Sequence, residues 1–232
     1  HGDIKATEVQ QLREEISTLL TVAQAEDEVI VRLESSGGMV HAYGLAAAQL
    51  ARIKEAGLHL TVCIDKVAAS GGYMMACVAD KILAAPFAVV GSIGVVAQVP
   101  NFHDLLEKHD IDVEVFTAGK YKRTVTVFGE NTEEDKQKFQ QELEETHKLF
   151  KDFVRKYRPS LDVEQVATGE HWYGEDAITR NLVDALQTSD SYILEKMTDS
   201  ELYAIQSRQK PTIAQKLGIS QAAQAVVATA ID

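Results

Sequence analysis

The chain has little positive charge. Its 232 residues carry 23 lysines and arginines against 35 aspartates and glutamates, a net charge of -12. Such a balance repels a phosphate backbone and speaks against a nucleic-acid partner. Cysteine is scarce as well. Cys63 and Cys77 are the two in the sequence, and they fall in segments that read as a strand and a buried helix, where a free thiol behaves as a small hydrophobe rather than half of a disulfide. No histidine or cysteine cluster has metal-ligand spacing, and no Walker-type phosphate loop, internal repeat or low-complexity linker occurs. The one long uncharged run, Ile82 to Phe102, has the length of a membrane span. Pro86, Gly91, Gly94 and Pro100 interrupt it, so it reads as short strands buried on both faces. The chain opens abruptly at His1-Gly2-Asp3 without a signal peptide, and a membrane anchor upstream of it is an expectation.

What is present is an alternation of helix and strand. Ile4, Val9, Leu12, Ile16, Leu19 and Leu20 recur at helical spacing, and a strand is expected from Glu28. A helix from Met39 to Ala56 ends at Gly57, and a strand follows over Leu58 to Ile64. Residues 67–80 then read as a small-residue turn opening a helix that is apolar nearly all round and must be buried. Further strands are expected near Lys81 to Ala84, Val89 to Val96 and Asp112 to Phe116, with a short helix around His103 to Lys108. Alternation of this kind implies an α/β domain with a largely parallel sheet and crossover helices. Thr132, with Asp135 three residues on, caps a long helix that Pro159 stops, and its apolar face is expected to pack on the core or on another subunit. A last helix is expected to end near Met197. One domain is expected, with its core over about 3–197 and a tail over about 207–232 that is mobile or used in assembly.

Two glycine turns, Ser36-Gly37-Gly38 and Ser70-Gly71-Gly72, follow strand ends, where an open α/β sheet places its ligands. A serine on such a turn can present its Oγ beside free backbone amides, which supplies a nucleophile and oxyanion donors for acyl transfer. A plain turn with an N-cap serine accounts for either motif taken alone.

The runs LESSGGMVHAYGLAAAQLARIK, DKVAASGGYMMACVADKILAAPFAVVGSIGVVAQ, DVEVFTAGKYKRTVTVFGENTEED and GEHWYGEDAITRNLVDAL resemble, in order, the motifs of the signal peptide peptidase A and SohB family of serine-lysine peptidases, and most closely its SohB members. The resemblance implies the fold shared by the Clp proteolytic subunit and the crotonases, and a serine endopeptidase acting on extended apolar peptides. It implies that Ser70 is the nucleophile, that the amides of Gly38 and Gly71 form the oxyanion hole, that Lys122 is the general base and that Ser92 orients the lysine. Ser36 stands where the family usually has proline, which is expected to loosen that turn. It further implies a ring- or dome-shaped homo-oligomer with a dyad that can span subunits, and attachment to the bacterial inner membrane through an N-terminal anchor. No cofactor is implied.

Lys120 competes with Lys122, because two lysines two residues apart in an extended segment face the same way. Motif position favours Lys122. A lysine with the reference pKa of about 10.4 must be desolvated before it can accept a proton at neutrality. A Ser-His-Asp triad would need a histidine near Ser92, and none is there. His103, His109 and His147 read as surface residues, and His171 as a packing or capping residue. A crotonase-like acyl-CoA enzyme and a noncatalytic scaffold of the same fold are the alternatives.

Overall fold

In a computed structural model, residues 2–207 are described. The chain divides into two units, His1–Leu202 and Tyr203–Asp232. The first holds every element named below. In the second, residues 203–207 carry no regular secondary structure, and the rest of the expected assembly tail lies outside the described residues.

The element order is α1 (Val9–Val22), β1 (Glu28–Arg32), α2 (Val40–Glu55), β2 (His59–Ile64), β3 (Val67–Ala69), α3 (Gly71–Ala76), β4 (Lys81–Ala84), β5 (Val89–Gly91), α4 (His103–Glu107), α5 (Glu133–Tyr157), α6 (Val163–Val166), β6 (His171–Tyr173), α7 (Gly174–Thr179), β7 (Ala185–Leu186) and α8 (Ser189–Lys196). A four-stranded sheet runs β1-β2-β4-β7, parallel throughout. Parallel neighbours need crossover connections, and α2 supplies the first of them. Its Leu50 and Ile53 are buried in one cluster with Leu60, Val62 and Ile64 of β2 and Ile82 of β4. Each such side chain contributes roughly 1.5–3 kcal/mol through burial. The expected α/β class and parallel sheet are therefore found.

A smaller sheet, β3-β5-β6, stands beside the first, with β3 and β5 parallel and β6 antiparallel. Its first strand also bridges to the segment that follows β1, where Ser35 pairs with Ala68. That bridge brings the chain leaving β1 alongside the chain entering α3. All six residues of α3 are buried, as an all-apolar helix requires.

Helix α5 begins as its sequence dictates. The Asp135 amide donates to Thr132 Oγ1 and the Thr132 amide to Asp135 Oδ2, a reciprocal capping box. Glu133, Glu134 and Asp135 lie at the positive end of the helix dipole, and Arg155 and Lys156 at the negative end. In its C-terminal half Phe150 and Val154 are buried in the core. Helix α8 is tied to the sheet by carboxylates. Glu28 accepts from Thr61 Oγ1 at 2.5 Å, Tyr192 OH at 2.6 Å and Lys196 Nζ at 2.7 Å. Asp65 accepts from the Ser189 amide at 2.8 Å and its hydroxyl at 2.5 Å.

Three expectations are corrected. Residues 112–116 form no strand, and Phe116 is 87% exposed; β-branched residues do not hold a strand without a neighbouring edge to pair with. Strand β5 ends at Gly91 instead of continuing to Val96, because Gly91 (φ 107°) and Ser92 (φ 52°) turn the chain out of extended geometry. Val96 is accordingly 90% exposed. Ile4 lies outside α1 and is also exposed. Its backbone carbonyl instead accepts from the Met39 amide at 2.8 Å.

Candidate active site

Ser70 occupies the single residue between β3 and α3. Its φ of 52° and ψ of -120° place a β-carbon-bearing residue in a region that favours glycine. The turn is over-determined by its surroundings. The Ser70 amide donates to the Gly91 carbonyl at 2.8 Å, and the Ser70 carbonyl accepts from the Met74 amide at 3.0 Å. The side chain is half-buried, and among the described residues its hydroxyl makes no hydrogen bond. Gly71, as the first residue of α3, has an amide with no intrahelical acceptor.

The second glycine turn abuts this one. Gly37 has φ of 86°, and a Cβ there would lie 2.6 Å from the Gly71 nitrogen and 2.9 Å from Ser70 Cβ. Only a residue without a side chain allows both the backbone angle and the approach. At Gly38 a Cβ would lie 2.2 Å from the Ile4 carbonyl oxygen. Hydrogen bonds hold the amides on either side of Gly38: Gly37 N donates to Ser35 Oγ at 3.2 Å and Met39 N to Ile4 O at 2.8 Å. Among the described residues the Gly38 amide itself makes no hydrogen bond. Ser36 is exposed, and the tethers from Ser35 and Ile4 hold the turn that proline was expected to stiffen.

Residues 52–203 match Peptidase family S49, and residues 1–50 match the N-terminal region of that family. The chain belongs to peptidase family S49. Its fold is accordingly the ClpP-like α/β fold of that family. Curated relatives agree with the assignment. The chain is 64% identical over 217 residues to a probable protease SohB of Haemophilus influenzae, covering 94% of this chain and 62% of that protein. It is 58% identical over 205 residues to a probable protease SohB of Buchnera aphidicola, covering 88% and 61% respectively. A putative protease of Methanocaldococcus jannaschii is 33% identical over 168 residues, covering 70% of this chain and 52% of that protein. The chain thus spans about three fifths of the length of the SohB relatives.

The remaining site candidates fall in two groups. Ser92 is brought to the turn: it follows Gly91, whose carbonyl holds the Ser70 amide, and its own amide donates to the Glu170 carbonyl at 2.6 Å. Lys122 is not brought in. It is exposed, in a segment without helix or strand, and among the described residues its ammonium meets no carboxylate. Lys120, its competitor, is ion-paired to Glu134 at 2.8 Å and lies 4.9 Å from the centre of the Tyr121 ring. The hydrogen bond to Glu134, followed by that to Tyr121, raises its pKa above the ordinary lysine value. A lysine held protonated is a poor base.

The histidines are placed differently from expectation in three cases, the first being His103, which is half-buried on α4 and not on the surface. His147 is half-buried, not on the surface, and its Nε2 lies 3.2 Å from the Ile93 carbonyl. His171 is exposed and pairs across β5–β6 opposite Gly91. Neither makes a hydrogen bond to Ser70 among the described residues. No group of side chains there could hold a metal ion.

Tyr43 was missed entirely. Read from sequence it is one more apolar position on α2. In the structure its ring fills the space where a Gly71 Cβ would stand, at 2.4 Å from that point, and its hydroxyl is bonded to Ser35 and to Asp3.

Proposed function

We propose that this S49 chain is a serine endopeptidase with a Ser-Lys dyad, in which Ser70 attacks the scissile carbonyl and neutral Lys122 takes the hydroxyl proton. The observation that carries this reading is the strained Ser70 turn, with the Gly37-Gly38 turn abutting it and the amides of Gly38 and Gly71 left open. As the Oγ–C bond forms, the carbonyl π electrons move to oxygen, and those two amides donate to the oxyanion. The Lys122 ammonium then protonates the departing amine as the C–N bond breaks, leaving an acyl-enzyme. Water attacks the ester, Lys122 removes its proton, and Ser70 recovers that proton as the peptide acid leaves. Ser92 orients the lysine.

Lys122 is exposed in the single chain, so the desolvation a neutral lysine requires comes, in this reading, from assembly. A ring- or dome-shaped homo-oligomer in which one subunit's lysine serves another's serine would supply it. The ion pair that occupies Lys120 supports Lys122 as the base. Extended apolar peptides, such as signal-peptide remnants or membrane-derived segments, are the proposed substrates. Anchorage at the bacterial inner membrane through an N-terminal segment belongs to the same proposal; among the described residues no helix is long and apolar enough to cross a membrane.

Alanine variants test the dyad. Ser70→Ala and Lys122→Ala each abolish hydrolysis of an apolar peptide library while preserving assembly, and Lys120→Ala retains activity. A serine-directed phosphonate labels the wild type and not Ser70→Ala. Full activity in either dyad variant refutes the reading, and thioester turnover without peptide hydrolysis replaces it with a crotonase-like one.

A further inference from the structure

The amide of Gly38 is held from both sides by bonds that lead back to the same short segment. On one side the Met39 amide donates to the Ile4 carbonyl at 2.8 Å. On the other, a directed chain of hydrogen bonds can be traced donor by donor. Tyr43 has one hydroxyl proton, and it goes to the Asp3 carbonyl at 2.8 Å. The 2.7 Å contact between Ser35 Oγ and Tyr43 OH must therefore be donated by Ser35. Ser35 Oγ keeps its lone pairs for the Gly37 amide, 3.2 Å away. The order is Gly37 N–H, Ser35 Oγ–H, Tyr43 O–H, Asp3 carbonyl, every donor with one acceptor.

Ser35 is 2% and Tyr43 1% exposed, so water does not compete for these bonds. In a chain of this kind each bond polarises the next. The Tyr43 ring meanwhile lies against Gly71, the residue after the nucleophile. One side chain thus touches both turns of the site: its hydroxyl fixes the Gly37-Gly38 turn through Ser35, and its ring backs the Gly71 turn.

We infer that Tyr43 is a positioning residue for the oxyanion hole, setting the Gly38 amide through Ser35 and the Gly71 amide through its ring, with the Asp3-Ile4 backbone as the fixed end of the frame. The inference rests on the proposed role of Ser70, Gly38 and Gly71. Because an oxyanion donor acts on charge that develops only in the transition state, its displacement lowers kcat rather than raising KM.

The test uses full-length protein carrying Tyr43→Phe, Ser35→Ala or both, with Ser70→Ala beside them. Phosphonate titration counts competent Ser70 sites, so that kcat is expressed per reactive serine and a misfolded fraction does not register. Tyr43→Phe keeps the ring and removes only the hydroxyl. Its kcat is expected to fall about tenfold, less than the ~100-fold or more that follows outright loss of a donor, with KM within about twofold of wild type. Ser35→Ala should do the same. The double variant should be no worse than about the single ones, because both cut one chain. An unchanged kcat in Tyr43→Phe and Ser35→Ala, with Ser70→Ala inactive, overturns the positioning role alone, as does a loss confined to KM. An active Ser70→Ala overturns the catalytic reading beneath it.

Discussion

The backbone at Ser70 predicts an unusual stability order. With φ of 52° and ψ of -120°, any residue with a Cβ carries strain of about 1–3 kcal/mol. Ser70→Ala removes the hydroxyl and keeps that strain, whereas Ser70→Gly removes both. Glycine loses about 0.5–1 kcal/mol through the greater freedom of the unfolded chain. The difference leaves Ser70→Gly more stable than Ser70→Ala by about 1 kcal/mol, which corresponds to roughly 2–4 °C in melting temperature for a domain of this size. Both variants are expected to be inactive. Urea unfolding of the two proteins side by side, followed by far-UV circular dichroism and by tryptophan fluorescence, measures the difference. At most positions the same comparison runs the other way, alanine above glycine. Finding that ordinary order at residue 70 would refute the claim that the turn stores strain, and with it the argument that the fold holds a serine where a glycine would sit more easily.

Two further outcomes follow from buried and paired groups. Burial pushes the thiols of Cys63 and Cys77 each up to about 12, so neither should react with a maleimide at about pH 8 in the folded protein, and both should react after denaturation; prompt labelling of the native chain would contradict their placement. Burial works to raise the pKa of Glu28 and of Asp65, yet hydrogen bonds outweigh it, from Lys196, Thr61 and Tyr192 at Glu28 and from Ser189 at Asp65, and both carboxyls end below their ordinary values. A depressed folded-state pKa means stabilisation that is present above the unfolded value of about 4 and lost as pH falls through the folded value. The melting temperature of the wild type should therefore drop on acidification below about pH 4, and Glu28→Gln with Asp65→Asn should lower it at neutrality while flattening that acid slope; equal slopes would exclude these two carboxylates as the cause.

The parts of this architecture that were legible in the sequence are those decided locally. The capping box at Thr132 and Asp135 is complete within four residues, and the buried helix after Ser70 announces itself by having no polar face. The glycine pairs were also legible, because a turn needing positive φ or close approach restricts the residues allowed there. Misread elements depend on partners far along the chain. The valines and isoleucine of residues 111–115 match a strand pattern, but a strand exists only where another edge accepts its hydrogen bonds, and composition does not record that edge. Tyr43 shows the same limit in the opposite sense. Its helical position explains its burial fully, and nothing in its spacing tells that its hydroxyl meets Ser35, eight residues back, and Asp3, forty residues back.

Lys122 carries this argument to the chemistry. A nucleophilic serine can be recognised from its own turn, since the strain and the neighbouring amides are made by residues adjacent to it. A lysine base has no comparable local signature. What distinguishes it from an ordinary surface lysine is the loss of water around one nitrogen, and desolvation is a property of whatever packs against the side chain. Lys120 and Lys122 are two residues apart with the same composition around them, yet one is committed to Glu134 and the other is not. Within one chain the physical difference between them is therefore negative: Lys120 is held charged by Glu134, whereas Lys122 meets no carboxylate among the described residues. In the proposed assembly the cover that desolvates Lys122 arrives only with a second subunit. Catalytic competence would then depend on subunit concentration, so that dilution below the assembly threshold should abolish peptide hydrolysis while leaving the fold of each chain, and the strained Ser70 turn within it, intact.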